Sequence, residues 1–122
     1  MKKSILIVEA SSIIRAVVGF LLESEGYLVE TATNGVEGLE KIHSNPYHLA
    51  LISGDLPKIH GYELIREIRK IEPYKDLPIL LLTKGERVDR EERPQPDRWL
   101  YLSELVEPQH LVRQACKILD GE

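Results

Sequence analysis

Residues 4–15 read SILIVEASSIIR, and this stretch decides the fold prediction. Its run of four apolar residues is typical of a strand that is buried on both faces of a parallel sheet. Glu9 and Ala10 follow as a short turn, and Ser11 or Ser12 can cap the helix that comes next. The stretch therefore predicts a strand, a turn and a helix, which together form the first unit of an α/β fold.

Five short apolar runs predict strands, at residues 5–8, 27–32, 49–52, 79–82 and 99–102. Apolar residues at helical spacing fill the intervals between them. This alternation predicts right-handed βαβ units and a doubly wound, five-stranded parallel sheet of order 2-1-3-4-5, as in flavodoxin-like folds. Two prolines interrupt segment 85–97, so the fourth helix is predicted to be short or irregular.

Composition narrows the functional classes. The chain has 122 residues, 43% of them hydrophobic, which suits one domain over residues 1–122. The net charge of −4 argues against nucleic-acid binding, and one cysteine excludes an internal disulfide framework. No apolar run has the length of a membrane span or the features of a signal peptide. We expect a cytoplasmic protein with no attached output domain.

The sheet order also predicts where a site would lie. In open α/β sheets, ligands bind beyond the carboxyl ends of the strands, at the point where the strand order reverses. Here that point is between the first and third strands. The residues predicted to gather there are Glu9, Ala10, Ser53, Gly54, Asp55, Thr83 and Lys84.

The chain resembles bacterial response-regulator receiver domains over essentially its whole length. The stretches that carry the resemblance are ILIVEASSIIR, GYLVETATNGVEGLEKI, LALISGDLPKIHGYELIREIR, LPILLLT and LYLSELVEPQHL, in this order and spacing. In that family an aspartate at the end of the third strand accepts a phosphoryl group. Magnesium lies between it and an acidic pair after the first strand, and a lysine after the fifth strand contacts the phosphoryl oxygens.

By position, the resemblance implies that this chemistry is lost. The acidic pair falls on Glu9 and Ala10, the phosphoacceptor on Ser53, and the lysine on Glu104. A serine needs a base and gives a stable ester, magnesium prefers carboxylate oxygens, and a glutamate reverses a neutralising charge. We therefore expect no magnesium cofactor and no enzymatic activity, with Glu9 and Asp55 as remnants of the acidic pocket.

The resemblance implies a stand-alone receiver-like domain in two-component or phosphorelay signalling that binds proteins independently of phosphorylation. A histidine kinase and motility components are the candidate partners. The switch positions, Thr83 and Tyr101, keep the residue types usual in the family. The candidate partner face consists of Trp99, Tyr101, Leu105 and Val106, because aromatic residues are favoured interface anchors. Lys84 or Lys58 is a candidate partner for Glu9 or Glu104, in place of a metal.

Two alternatives stay open from the sequence. One is a divergent receiver that is still phosphorylated, on Asp55 or on Ser53 with Glu9 as the base. The other is a small anion- or nucleotide-binding module of flavodoxin-like fold, since Ser11 and Ser12 stand at a helix N-terminus that can attract an anion.

Overall fold

The computed structural model describes residues 2–83, 99–103 and 108–121. The strands are β1 (Ser4–Val8), β2 (Leu28–Ala32), β3 (Leu49–Ser53), β4 (Ile79–Thr83) and β5 (Trp99–Ser103). The helices are α1 (Ser12–Ser24), α2 (Gly35–Ser44), α3 (Gly61–Arg69) and α4 (Pro108–Asp120), with a 3₁₀ turn at Glu72–Tyr74. Each predicted strand is present, with its ends within one residue of the prediction.

All five strands are parallel, and they lie side by side in the order β2-β1-β3-β4-β5. This confirms the doubly wound α/β fold and its predicted strand order. The switch point lies between β1 and β3, where Val8 is in register with Ile52. The prediction of a short or irregular helix over 85–97 lies outside the described residues.

The two faces of the sheet are covered by different helices. Leu6, Val8 and Ile52 belong to a core cluster with residues of α2 and α3. Ile5, Ile7 and the other alternate strand residues belong to a second cluster with α1 and α4. Successive residues of a strand point to opposite faces, so each central strand contributes buried side chains to both clusters. This explains why the central strands are apolar without alternation.

Local capping interactions set both ends of α1 and the start of α2, and the cap at Ser11 was predicted from the sequence. The Ser11 side chain accepts a hydrogen bond from the Ile14 N–H at 3.3 Å, and Asn34 Oδ1 accepts one from the Glu37 N–H at 2.9 Å. Gly26 has φ 95°, a left-handed conformation that ends α1 at low cost because glycine has no Cβ. These interactions are short-range, so they are readable from sequence.

Helix α1 carries two apolar stripes at helical spacing, and only one of them is buried. Val18 and Leu22 are 2% and 0% exposed, whereas Ile13 is 74% exposed and Val17 is 41% exposed. Both stripes have helical spacing, so only the position of the sheet decides which one faces the core.

Cys116 in α4 is partly buried and packs at the edge of the cluster shared by α1 and α4. No helix of the described part of the chain has the length and apolar character needed to cross a bilayer.

Candidate functional site at the carboxyl ends of the strands

Glu9 lies directly after β1 and is almost completely buried, with 4% of its surface exposed. Its backbone N–H donates to the Ala32 carbonyl at 3.0 Å, which extends the pairing of β1 with β2 by one residue. One carboxylate oxygen, Oε2, accepts a hydrogen bond from the Ala10 N–H at 3.1 Å. The β1–α1 turn thus holds a buried acidic side chain at the carboxyl end of β1, which is a central strand of the sheet.

Arg15 fastens the same turn from the helix side. Its Nη1 donates to the Glu9 carbonyl at 2.6 Å and to the Ala10 carbonyl at 3.0 Å. This residue is not among those predicted from the sequence. A signal was present, because side chains in the first turn of a helix point back toward its N-terminus and so toward the preceding turn.

Ser53 ends β3 and is 1% exposed, so its hydroxyl is buried. Its Oγ accepts a hydrogen bond from the Asp55 N–H at 3.3 Å. The next residue, Gly54, donates from its backbone N–H to the Leu82 carbonyl of β4 at 2.7 Å. Asp55 itself is exposed. The structure therefore brings Glu9 and Ser53 to one edge of the sheet, as predicted from the strand order.

The loop from β3 to α3 is held by two close approaches. A Cβ at Gly61 would lie 2.3 Å from the Ser53 carbonyl oxygen, which means that the start of α3 touches the end of β3. A Cβ at Gly35 would lie 2.5 Å from the Ile59 Cβ, so the loop also packs against the start of α2. Glycines at these positions let the loop stay close to both helices.

Lys58 is at the tip of this loop, in an uncommon backbone conformation. Its φ is 72°, and the Ile59 N–H donates to the Pro57 carbonyl at 2.9 Å, which are features of a classic γ-turn. Non-glycine residues rarely adopt this conformation, and nothing in the sequence around Lys58 predicts it. Lys58 is exposed. Its predicted pairing with Glu9 or Glu104 stays a prediction.

The other predicted positions lie at the end of the sheet formed by β4 and β5. Thr83 is the last residue of β4, in register with Ser103 of β5. Trp99 and Tyr101 lie on β5, an edge strand, opposite Ile79 and Leu81. Lys84, Glu104, Leu105 and Val106 lie outside the described residues, so the predictions for them remain predictions.

These residues do not fit the magnesium ion that a receiver site would hold. Mg²⁺ prefers near-octahedral oxygen coordination that includes one or two carboxylates. Ala10 offers no side-chain ligand, and Ser53 offers a neutral hydroxyl in place of a carboxylate. Asp55 is exposed on the loop, two residues beyond Ser53 at the end of β3. Over residues 2–83, 99–103 and 108–121, no group of three or more His, Cys, Asp or Glu side chains is arranged to hold a metal.

A doubly wound sheet of order 2-1-3-4-5, with its polar crevice between the first and third strands, is the flavodoxin-like class of α/β domain, to which receiver domains belong. The family model described as "Response regulator receiver domain" matches residues 5–115. The chain belongs to this family, and it is a receiver domain of two-component signalling.

Solved structures agree with this assignment. Chemotaxis protein CheY4 of Vibrio cholerae has a TM-score of 0.89 and 28% identity, with 98% of this chain and 100% of that chain covered. The receiver domain of sensor histidine kinase PA1611 of Pseudomonas aeruginosa has a TM-score of 0.85 and 25% identity, with 98% and 99% covered. That receiver holds a magnesium ion in its active-site cleft.

Curated relatives are longer proteins. A probable transcriptional regulator of Porphyra purpurea, ycf29, is 32% identical over 92% of this chain and 54% of its own length. The CpxR homolog of Haemophilus influenzae is 45% identical over 57% of this chain and 30% of its own length. The chain thus spans about half or less of the length of these relatives.

Proposed function

We propose that this receiver domain acts by binding other proteins and that its output does not depend on phosphorylation of an aspartate. The observation that carries the proposal is Ser53. It occupies the end of β3, where the family has its phosphoacceptor, and only 1% of its surface is exposed. Its Oγ already accepts a hydrogen bond from the Asp55 N–H. A buried, neutral hydroxyl is a poor substitute for an exposed carboxylate that is an anion at neutral pH.

The residues around Ser53 support the same proposal. Attack by a serine hydroxyl requires a general base to remove its proton, and the product is a stable ester and not a labile acyl phosphate. Ala10 removes a carboxylate that would hold the cation needed to neutralise a transferring phosphoryl group. The exposed Asp55 is the remaining candidate acceptor, but it lies two residues beyond the strand end. We accordingly propose a binding domain and not an enzyme.

The surface proposed to bind partners is the edge formed by β5. An edge strand has one side without a neighbouring strand, and sheet edges are sites where other chains can pair or pack. Trp99 and Tyr101 alternate along β5, and aromatic residues are over-represented among residues that dominate binding energy. A cytoplasmic histidine kinase or motility protein is the proposed kind of partner.

Phosphorylation is tested with acetyl phosphate and Mg²⁺, followed by intact-mass spectrometry. We expect no added phosphoryl group on this chain, and the magnesium-binding PA1611 receiver is treated in parallel for comparison. In parallel, NMR shifts are recorded with beryllium fluoride and Mg²⁺. A phosphoryl adduct that is lost in Asp55→Asn, or saturable shifts around Ser53 and Thr83, would contradict the proposal.

Partner binding is tested by affinity capture from the native host with four forms of the protein. The unchanged chain is compared with Trp99→Ala and Tyr101→Ala, and with Leu28→Ala as a control on the opposite edge strand. We expect the same partner to be lost with both β5 variants and kept with the control. If every partner survives the two β5 substitutions, the role of this edge is wrong.

A further inference from the structure

A groove of about 440 Å³ lies between α1 and β2, at the edge of the sheet opposite β5. β2 pairs with β1 on one side, and no other described strand lies on its outer side. The side chains that line the groove come from α1, with Arg15 and Glu23 among them, and from Val29 and Thr31 of β2. We propose that the groove binds an extended segment of a partner protein, which adds to β2 as a parallel strand with a basic, an apolar and an acidic side chain at alternate positions.

The backbone of β2 offers hydrogen-bonding groups to such a segment. The Leu28 N–H and the Ala32 carbonyl are bonded to the backbone at the two ends of β1, at 2.9 and 3.0 Å. Successive residues of a strand direct their backbone groups to opposite sides, so Val29 and Thr31 direct theirs to the outer edge. Lys41 Nζ donates to the Thr31 carbonyl at 2.5 Å. An added strand therefore bonds to the Val29 N–H, the Val29 carbonyl and the Thr31 N–H, and its pairing ends there.

The two ends of the groove carry opposite charges. Gly19 lies beside Val29, since a Cβ at Gly19 would be 3.7 Å from Val29 Cγ1. Arg15 and Glu23 lie about one turn before and one turn after Gly19, so they flank this point on either side. Arg15 also bonds to the turn at the carboxyl end of β1, which places it at the Thr31 end of β2. Neither Arg15 nor Glu23 takes part in the ion pairs of the described residues. Their charges are therefore available to a ligand.

The spacing of these charges matches a strand. Arg15 and Glu23 are eight residues apart on a helix, which is a rise of about 12 Å. Side chains on one face of a strand repeat every two residues, so the first and fifth residues are about 13 Å apart. A segment parallel to β2 brings its first residue to Glu23, its third to Val29 and its fifth to Arg15. The first is therefore basic and the fifth acidic. The third is apolar, because the groove there is lined by Gly19 and by Phe20, which is 69% exposed.

Titration of a synthetic peptide into the isotopically labelled chain, followed by amide NMR shifts, tests the proposal. The acetylated and amidated peptide Gly-Lys-Thr-Val-Thr-Glu-Gly should give saturable shifts at Val29 and Thr31. A peptide with lysine and glutamate exchanged should bind at least about fivefold more weakly, because like charges then meet at both ends. Glu23→Lys should weaken the first peptide similarly and bind instead a peptide with glutamate at both positions. Glu25→Lys is the matched control: it makes the same charge change outside the groove and should leave the dissociation constant unchanged.

Methylated peptides test the backbone pairing without any change to the protein. The threonine after the valine donates its N–H to the Val29 carbonyl in this register, so N-methylation there should weaken binding at least about fivefold. The valine N–H points away from β2, and its N-methylation should be tolerated. The proposal is overturned if the unchanged chain shows no saturable shift at Val29 and Thr31, if exchange of the charges has no effect, or if both methylated peptides bind equally. β5 takes no part in this test, so the result is independent of the proposed partner edge.

Discussion

Placing a carboxylate at position 53 should lower the free energy of unfolding by an amount that can be estimated from the structure. Val8 of β1 is in register with Ile52 of β3, so Glu9 and Ser53 are the next neighbours across the two strands. Adjacent strands are about 5 Å apart. Two carboxylates at roughly 5 Å, with an effective dielectric constant of about 20, repel each other by about 3 kcal/mol. Ser53→Asp should therefore conflict with the buried Glu9.

The measurement is a double-mutant cycle. Urea unfolding at pH 7 is recorded for Ser53→Asp and for Ser53→Asn, each with and without Glu9→Gln. Asparagine has the shape of aspartate without its charge, so the comparison isolates the repulsion from the change in size. We expect Ser53→Asp to lose about 3 kcal/mol relative to Ser53→Asn when Glu9 is present, and much less when it is replaced.

Divalent cation provides a second arm of the same experiment. Added Mg²⁺ should stabilise Ser53→Asp more than Ser53→Asn, because the ion can offset the repulsion between two carboxylates but gains little from one. A coupling energy below about 0.5 kcal/mol would refute the reasoning. It would show that the two side chains do not interact directly, or that a cationic group already compensates both.

Three further predictions concern the elements that hold the site. Gly61→Ala should cost about 3 kcal/mol of unfolding free energy, because its Cβ would lie 2.3 Å from a backbone oxygen at the end of β3. Gly19→Ala is the control, because its Cβ would make an ordinary contact at 3.7 Å, and it should stabilise α1 by up to about 1 kcal/mol. Similar losses of unfolding free energy for Gly61→Ala and Gly19→Ala in urea melts would contradict the clash. Lys58→Gly should gain about 0.5–1 kcal/mol through relief of the positive φ, whereas Lys58→Ala should not, and equal stabilities would show that the turn carries no strain. Hydrogen bonds from the Thr33 side chain and backbone lower the pKa of the Glu37 carboxyl. The contribution of the ionised carboxylate to the free energy of unfolding is therefore complete at neutral pH and is lost as the pH falls through that lowered pKa. The stability difference between the unchanged chain and Glu37→Gln should accordingly shrink from pH 7 to about pH 3, and a difference independent of pH would contradict this assignment.

The fold was predictable because its signals are local. The apolar runs and the serine cap of α1 each act within a few residues, and the structure confirms them. The strand ends were predicted less well. β3 and β4 each extend one residue further, to Ser53 and Thr83, because backbone pairing with a neighbouring strand continues beyond the last apolar side chain.

The candidate site was only partly predictable. The sequence indicated that Glu9 and Ser53 meet at one edge, since parallel strands end together there. It did not indicate that Arg15 fastens the β1–α1 turn, or that Lys58 has a positive φ. The direction of a side chain in the first turn of a helix is predictable, but the carbonyls that Arg15 contacts depend on the path of the β1–α1 turn. The conformation of Lys58 depends on how its loop packs between two helices, which no local pattern records.

The amino-acid sequence by itself determined the order of strands and helices, the receiver class and the residues Ala10 and Ser53 at the positions where the family has acids. These follow from periodicity, capping and residue type. Only the tertiary structure decided that Ser53 is sealed from solvent and that Ile13 and Phe20 are left outside. Burial depends on which elements lie on top of a residue, and both faces of α1 are equally apolar until the sheet covers one of them.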